Sequence, residues 1–138
     1  MRDVYLIGVD SGTQSTKVSM INQRGEILLS ASQPLRPMQS RQKGWVEHPG
    51  DDLWDSTKAA LRKLMASFKG DVSEIKGIGL CSIRCCRVFL KKDGSLAAPV
   101  MSWMDVRAYS PFEDEPDIGH TGSTSGYLTF RLTRELRD

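Results

Sequence analysis

Residues 4–9 read Val-Tyr-Leu-Ile-Gly-Val and stop abruptly at Asp10-Ser-Gly-Thr-Gln-Ser-Thr-Lys17. A short β-branched and aromatic run with almost no polar residue is the pattern of a strand buried on both faces. The polar break must fit between that strand and another, because residues 17–21, Lys-Val-Ser-Met-Ile, alternate as a half-buried strand does. Asn22-Gln-Arg-Gly25 then offers a turn, since Asn and Gly tolerate positive φ. Residues 26–32 read as a third strand, so the chain is expected to open with an antiparallel meander.

Downstream the period changes. Residues 33–47 carry Pro34, Pro37 and Gly44 and read as a loop. Leu53, Thr57, Ala60, Leu61, Leu64, Met65 and Phe68 then recur at helical steps over residues 51–69. Pro49 precedes this helix, Asp51 and Asp52 suit its positive end, and Gly70 follows its last turn. Residues 75–83 form another apolar strand. Val88-Phe89-Leu90, the turn signal Lys92-Asp93-Gly94 and residues 96–103 are expected to form a hairpin. Residues 108–126 read as a loop with Pro111, Pro116 and the acids Glu113, Asp114, Glu115 and Asp117, and residues 127–136 suit a short helix. Three strands, a helix and more strands predict an α/β fold, a mixed sheet with flanking helices.

Composition narrows the function classes. A length of 138 residues suits one modest domain. The net charge of +2 gives neither a nucleic-acid field nor a polybasic membrane patch. No apolar run approaches the ~20 residues needed to span a bilayer, and Met1-Arg-Asp3 opens no signal-peptide pattern. Cys81, Cys85 and Cys86 are an odd, clustered set, expected to be reduced thiols in a cytoplasmic protein.

The polar break carries the chemistry. Gly12 removes a side chain, so backbone N–H groups could approach a phosphate. Thr13, Ser15 and Thr16 offer hydroxyls. Asp10 could hold Mg²⁺ directly or through water, because hard cations take oxygen ligands, and Lys17 would place positive charge beside developing negative charge. The segment lacks both the Walker pattern and the dinucleotide glycine pattern. The same residue types also build a plain polar hairpin turn.

With this break in view the chain resembles the FGGY carbohydrate kinases. The resemblance is carried by Ile7-Gly-Val-Asp-Ser-Gly-Thr-Gln-Ser-Thr-Lys17, Gly44-Trp-Val-Glu-His-Pro49 before Leu53-Trp54, Ile75-Lys-Gly-Ile-Gly-Leu80, Asp93-Gly94, Pro99-Val-Met-Ser-Trp-Met-Asp-Val-Arg107 and Tyr127-Leu-Thr-Phe-Arg-Leu-Thr-Arg-Glu135. It implies the ribonuclease-H-like core shared by sugar kinases, actins and Hsp70-type ATPases. It implies ATP and Mg²⁺ as cofactors, with Asp10 at the metal and Asp10, Gly12, Thr13, Gln14, Ser15 and Lys17 at the phosphates. Arg84, Trp103, Asp105 and Arg107 would face a small-molecule sugar or polyol whose hydroxyl takes the γ-phosphate. For Trp103 a core aromatic, and for Asp105 and Arg107 a structural ion pair, are equally compatible with these residue types.

Against the family pattern, Arg134 stands where Gly is usual, and Cys85 and Cys86 stand where relatives often carry Gly, Glu, Thr or His. By this resemblance the chain is an incomplete N-terminal domain: core strands and first helix over 1–107, a shortened loop over 108–126 and a helical tail over 127–138. The family's catalytic base and C-terminal domain are expected to be absent, leaving the chain inactive alone, with a homodimer mate or the missing kinase portion as partner. The alternatives are an inactive remnant of such a kinase and an ATP-binding module of the actin or Hsp70 kind.

Overall fold

The computed structural model describes residues 4–111, 113 and 115–137. Met1-Arg-Asp3, Asp114 of the acidic stretch and Asp138 of the tail lie outside the described residues. The chain divides into two compact units, residues 1–35 with 55–82 and residues 36–54 with 83–138.

The first unit is a four-stranded sheet of β1 (Tyr5–Ser11), β2 (Ser15–Asn22), β3 (Ile27–Pro34) and β4 (Ile75–Ser82), in the order β3-β2-β1-β4. The three opening strands pair antiparallel and β4 pairs parallel to β1, so the sheet is mixed. The parallel pairing needs a crossover, supplied by helix α1 (Asp52–Ser67), whose residues from Asp55 onward belong to this unit. Strand alternation turns Ile7 and Val9 of β1 and Val18 and Met20 of β2 to one face, where they pack with Ala60 and Leu64 of α1. Leu61, Met65 and Phe68 flank this core, as their spacing predicts, and Phe68 meets Tyr5 edge to face at 5.2 Å.

One expectation fails here. β1 is covered on one face, not two: Leu6 keeps 49% of its surface exposed while Ile7 and Val9 are buried. Gly8 sits between them and is neither polar nor apolar in pattern, so it hides the alternation that a polar residue would have displayed.

The second unit has shorter elements: β5 (Val88–Leu90), β6 (His120–Gly122) and helix α2 (Thr124–Thr133). The hairpin expected from residues 88–103 forms only around its turn: Lys91 N–H donates to the Ser95 carbonyl and Ala97 N–H to the Phe89 carbonyl, both at 2.8 Å. β5 also pairs antiparallel with β6, and residues 96–103 contribute isolated bridges, Leu90 to Leu96 and Met101 to both Arg87 and Glu47. Pro99, lacking an N–H, interrupts any continuous ladder there. Consequently residues 108–126 are not all loop: they hold β6 and the first residues of α2. Ser123 caps α2 by accepting from the Gly126 N–H at 3.1 Å. Tyr127 and Arg131 on α2 both donate to Asp51, and the Arg131 guanidinium lies 4.8 Å from the Trp54 ring centre. Burial first, then the Asp51 charge, drives the Tyr127 phenol above its ordinary value, so it stays a donor.

Candidate functional site

The strand turn is tighter than the sequence implies. β1 runs through Asp10 to Ser11 and β2 starts at Ser15. The Gly12 N–H donates to the Ser15 carbonyl at 3.0 Å, so that amide is spent inside the turn and is not left for a phosphate. Glycine is favoured for a different reason than expected: a Cβ would crowd the Ser15 oxygen at 3.1 Å. Thr13 and Gln14 form the tip. Their amides have no partner among the described residues, while the Gln14 carbonyl accepts from Leu35 at 2.9 Å. Thr16 is buried and shares a 2.8 Å hydrogen bond with Ser56 of α1, fixing the turn to the helix.

Asp10 and Lys17 are direct cross-strand partners on the face away from the apolar core. Both are exposed and neither forms an ion pair with a described residue. They line an open cleft of about 540 Å³ with Gly8, Ser19, Ile21, Gly79 and Cys81. Nothing lies within 4 Å of a Cβ built on Gly79, and only Ile21 approaches one on Gly8, at 3.9 Å. Two glycines leave backbone open in the cleft beside the side chains of Ile21 and Ile27, and it carries one carboxylate and one ammonium.

This donor set fits a metal-bound polyphosphate. Asp10 offers the oxygen a hard cation takes, Lys17 offers a point charge, and the Thr13 and Gln14 amides offer neutral donors.

Arg84, Trp103, Asp105 and Arg107 belong to the second unit. Arg84 sits in an exposed bend and pairs with no described residue. Trp103 is 44% exposed, so the core-aromatic reading does not hold. Its carbonyl accepts from the Tyr109 hydroxyl at 2.5 Å. Cys85 is exposed at φ 60°, and Cys86 beside it is buried. Burial raises the Cys86 thiol pKa, opposed by a hydrogen bond from the Trp103 backbone.

Asp105 and Arg107 form an ion pair. Asp105 is 0% exposed. It accepts from Arg107 Nε at 2.9 Å, Arg107 Nη2 at 2.7 Å and the Arg107 and Val46 amides at 2.9 and 2.8 Å. Burial alone would raise its pKa, but these hydrogen bonds together hold it below the ordinary 3.8. The Asp105 bonds, followed by Glu47, push Arg107 the other way, up. Sequence reasoning missed that Trp45 and Glu47 join this pair: Glu47 Oε1 accepts from Arg107 Nη2 at 2.7 Å and the guanidinium lies 3.5 Å over Trp45. The only available signal was that both belong to motifs already singled out. His48, next in line, is 1% exposed, and neither ring nitrogen has a partner among the described residues.

A family model described as "FGGY family of carbohydrate kinases, N-terminal domain" matches residues 5–116. The uncharacterized sugar kinase YgcE of Escherichia coli (strain K12) is 48% identical over 139 positions, covering 100% of this chain and 28% of that protein. The glycerol kinase of Acinetobacter baylyi is 31% identical over 75% of this chain and 21% of its own length. Among solved structures, xylulose kinase from Rhodospirillum rubrum superposes with a TM-score of 0.76 at 22% identity, over 98% of this chain and 35% of that one. The fold is therefore that of the sugar kinases, and the chain spans between a fifth and a third of the length of these relatives.

Proposed function

This chain belongs to the FGGY family of carbohydrate kinases, and from that premise we propose that it carries the phosphate-gripping turn and part of the sugar-side wall of an enzyme that moves the ATP γ-phosphate to a sugar or polyol hydroxyl. One observation carries the reading. Asp10 and Lys17 stand side by side, unpaired among the described residues, in an open cleft where Gly8 and Gly79 leave backbone uncovered. A plain hairpin turn needs neither feature.

Asp10 holds the metal side, directly or through water. The Thr13 and Gln14 amides and the Lys17 ammonium orient the phosphate oxygens in positions fixed by the β1–β2 ladder and by the Thr16–Ser56 bond. Bound Mg²⁺ supplies neutralisation of the charge that develops on the transferred phosphoryl group. Arg84 and Trp103, both exposed, supply donors and an apolar face to a sugar, and Arg107 supplies a fixed donor. For the chain by itself we propose binding without turnover, the proton-accepting carboxylate and the adenosine side coming from the remainder of a kinase.

Calorimetric titration of the chain with ATP–Mg²⁺ tests this. Binding that Asp10→Asn weakens at least about tenfold, with the melting temperature unchanged, supports it. Equal binding by wild type and Asp10→Asn contradicts it, and so does robust sugar phosphorylation by the chain alone.

A further inference from the structure

We propose that a cavity in the second unit, next to the bend that carries Arg84, is an oxyanion subsite, and that the sugar it receives bears a carboxylate. The inference rests on the proposed sugar-side placement of Arg84 and deepens it.

The cavity has a volume of about 470 Å³, and Cys85, Cys86, Arg87, Tyr109, Thr121 and Ser123 are among the residues that line it. Helix α2 fixes its position. The Thr124 hydroxyl in the first turn of α2 donates to the Ile83 carbonyl at 2.6 Å. This ties the Arg84–Cys85 bend to the N-terminal end of the helix, where the Ser123 cap lines the cavity. The peptide dipoles of this ten-residue helix place partial positive charge at that end. Cys85 is held at φ 60°, a strained conformation for a residue with a side chain. Strain of this kind collects where a segment is shaped for a ligand.

The charge here is uncompensated. Arg87 spends Nη1 on the Arg107 carbonyl at 3.1 Å and Nη2 on the Ser110 carbonyl at 2.8 Å. Both partners are neutral oxygens, so they fix the guanidinium without cancelling its charge. Arg107 is answered by the carboxylates of Asp105 and Glu47. Among the described residues neither Arg84 nor Arg87 forms an ion pair. No residue that lines the cavity is acidic.

One hydroxyl is uncompensated too. Thr121 lines the cavity, and its Oγ1 is buried with no partner among the described residues. A buried hydroxyl left without a partner costs free energy, and a ligand oxygen removes that cost. A neutral sugar would satisfy the hydroxyl but leave two guanidinium charges and a helix N-terminus unmatched. A carboxylate answers all of them, and the exposed Arg84 offers it a whole fork of N–H donors. The acidic group is present before transfer, so it is not the phosphate that the sugar is to receive.

The test measures binding of D-gluconate, D-glucitol and glycerol 3-phosphate to the full chain by ligand-observed NMR. Gluconate and glucitol share a carbon chain and differ in the acidic group. Gluconate is expected to bind at least about tenfold more tightly than glucitol. Cys85→Glu, which puts a carboxylate in the cavity, is expected to erase that preference, and Cys85→Ser to keep it. Thr121→Val is expected to weaken gluconate severalfold. In a Cys81→Ser chain, gluconate is expected to shield Cys85 from iodoacetamide, which locates the ligand in this cavity. Glucitol binding as tightly as gluconate overturns the inference, and so does a preference that survives in a folded Cys85→Glu chain or a Cys85 that saturating gluconate leaves unshielded. Binding of glycerol 3-phosphate without gluconate overturns the carboxylate assignment. All of these outcomes leave the kinase reading standing. Failure of all three ligands to bind a folded chain overturns the inference together with the sugar-side assignment of Arg84, while ATP–Mg²⁺ binding tests the phosphate side separately.

Discussion

The two units hold their candidate residues by different physics. In the first, an apolar layer of Ile7, Val9, Val18, Met20, Ala60 and Leu64 locks the ladder, and the chemistry-bearing Asp10 and Lys17 hang from its far side, outside that layer. In the second, elements are three to ten residues long, and the candidates are themselves the ties: Asp105, Arg107 and Glu47 hold one another. A site mounted on a hydrophobic sheet can be altered without unfolding it. A site built from a buried ion network cannot.

That contrast sets the expected costs. Leu64→Ala, at a fully packed position, should cost about 3–5 kcal/mol in chemical denaturation, with little dependence on pH or salt. Asp105→Asn should cost about 3 kcal/mol by leaving Arg107 short of a partner in a buried network. Trp45, Trp54 and Trp103, the three tryptophans, all lie in the second unit, so fluorescence reports that unit while circular dichroism also reports the sheet. Coincident transitions would blur the comparison, and separated ones would sharpen it.

The pH dependence separates the units further. Asp105 has a folded pKa below 3.8, so its contribution is present above that value and is lost as pH falls through the lower, folded one. His48 is also depressed, chiefly by burial and in spite of Asp52, from an ordinary 6.5. Its contribution is therefore full above 6.5 and declines as the pH drops toward the folded pKa, because the unfolded chain takes up a proton that the native ring refuses. His48→Gln should flatten the fluorescence-detected stability as the pH falls below the ordinary histidine value of 6.5. A slope unchanged by that replacement would remove His48 from the account.

The smallest expected effect is a gain. Arg134 ends α2 in the left-handed region at φ 66°, a conformation that costs a side-chain-bearing residue about 1 kcal/mol relative to glycine. Arg134→Gly should raise stability by roughly that amount in a thermal melt. A loss would mean that the Arg134 side chain does more than its backbone conformation indicates.

The meander, the helix and the existence of β4 were legible because each rests on local periodicity, whereas the parallel pairing of β4 with β1 is tertiary. The Asp10–Lys17 pairing was not legible: residues 10–16 read as a break, whereas the ladder continues to Ser11↔Thr16 and so brings the two side by side. The β5–β6 pair was not legible: three-residue strands carry too little pattern, and Val88–Leu90 had a nearer apparent partner in residues 96–103. The role of Gly12 was misread because a glycine that permits close approach looks the same in sequence as one that frees an amide. Trp45 and Glu47 were visible as a motif, but their contact with Arg107 is tertiary, and nothing between residues 47 and 107 announces it.

The claim on which the rest depends is that the β1–β2 turn grips a metal-bound polyphosphate. Backbone amide chemical shifts of the chain, followed as ATP is added with and without Mg²⁺, test it directly. The account predicts that the Thr13 and Gln14 amides move most, that the movement needs Mg²⁺, and that Asp10→Asn abolishes it. Shifts absent from the turn, or identical in the Asp10→Asn chain, would contradict it.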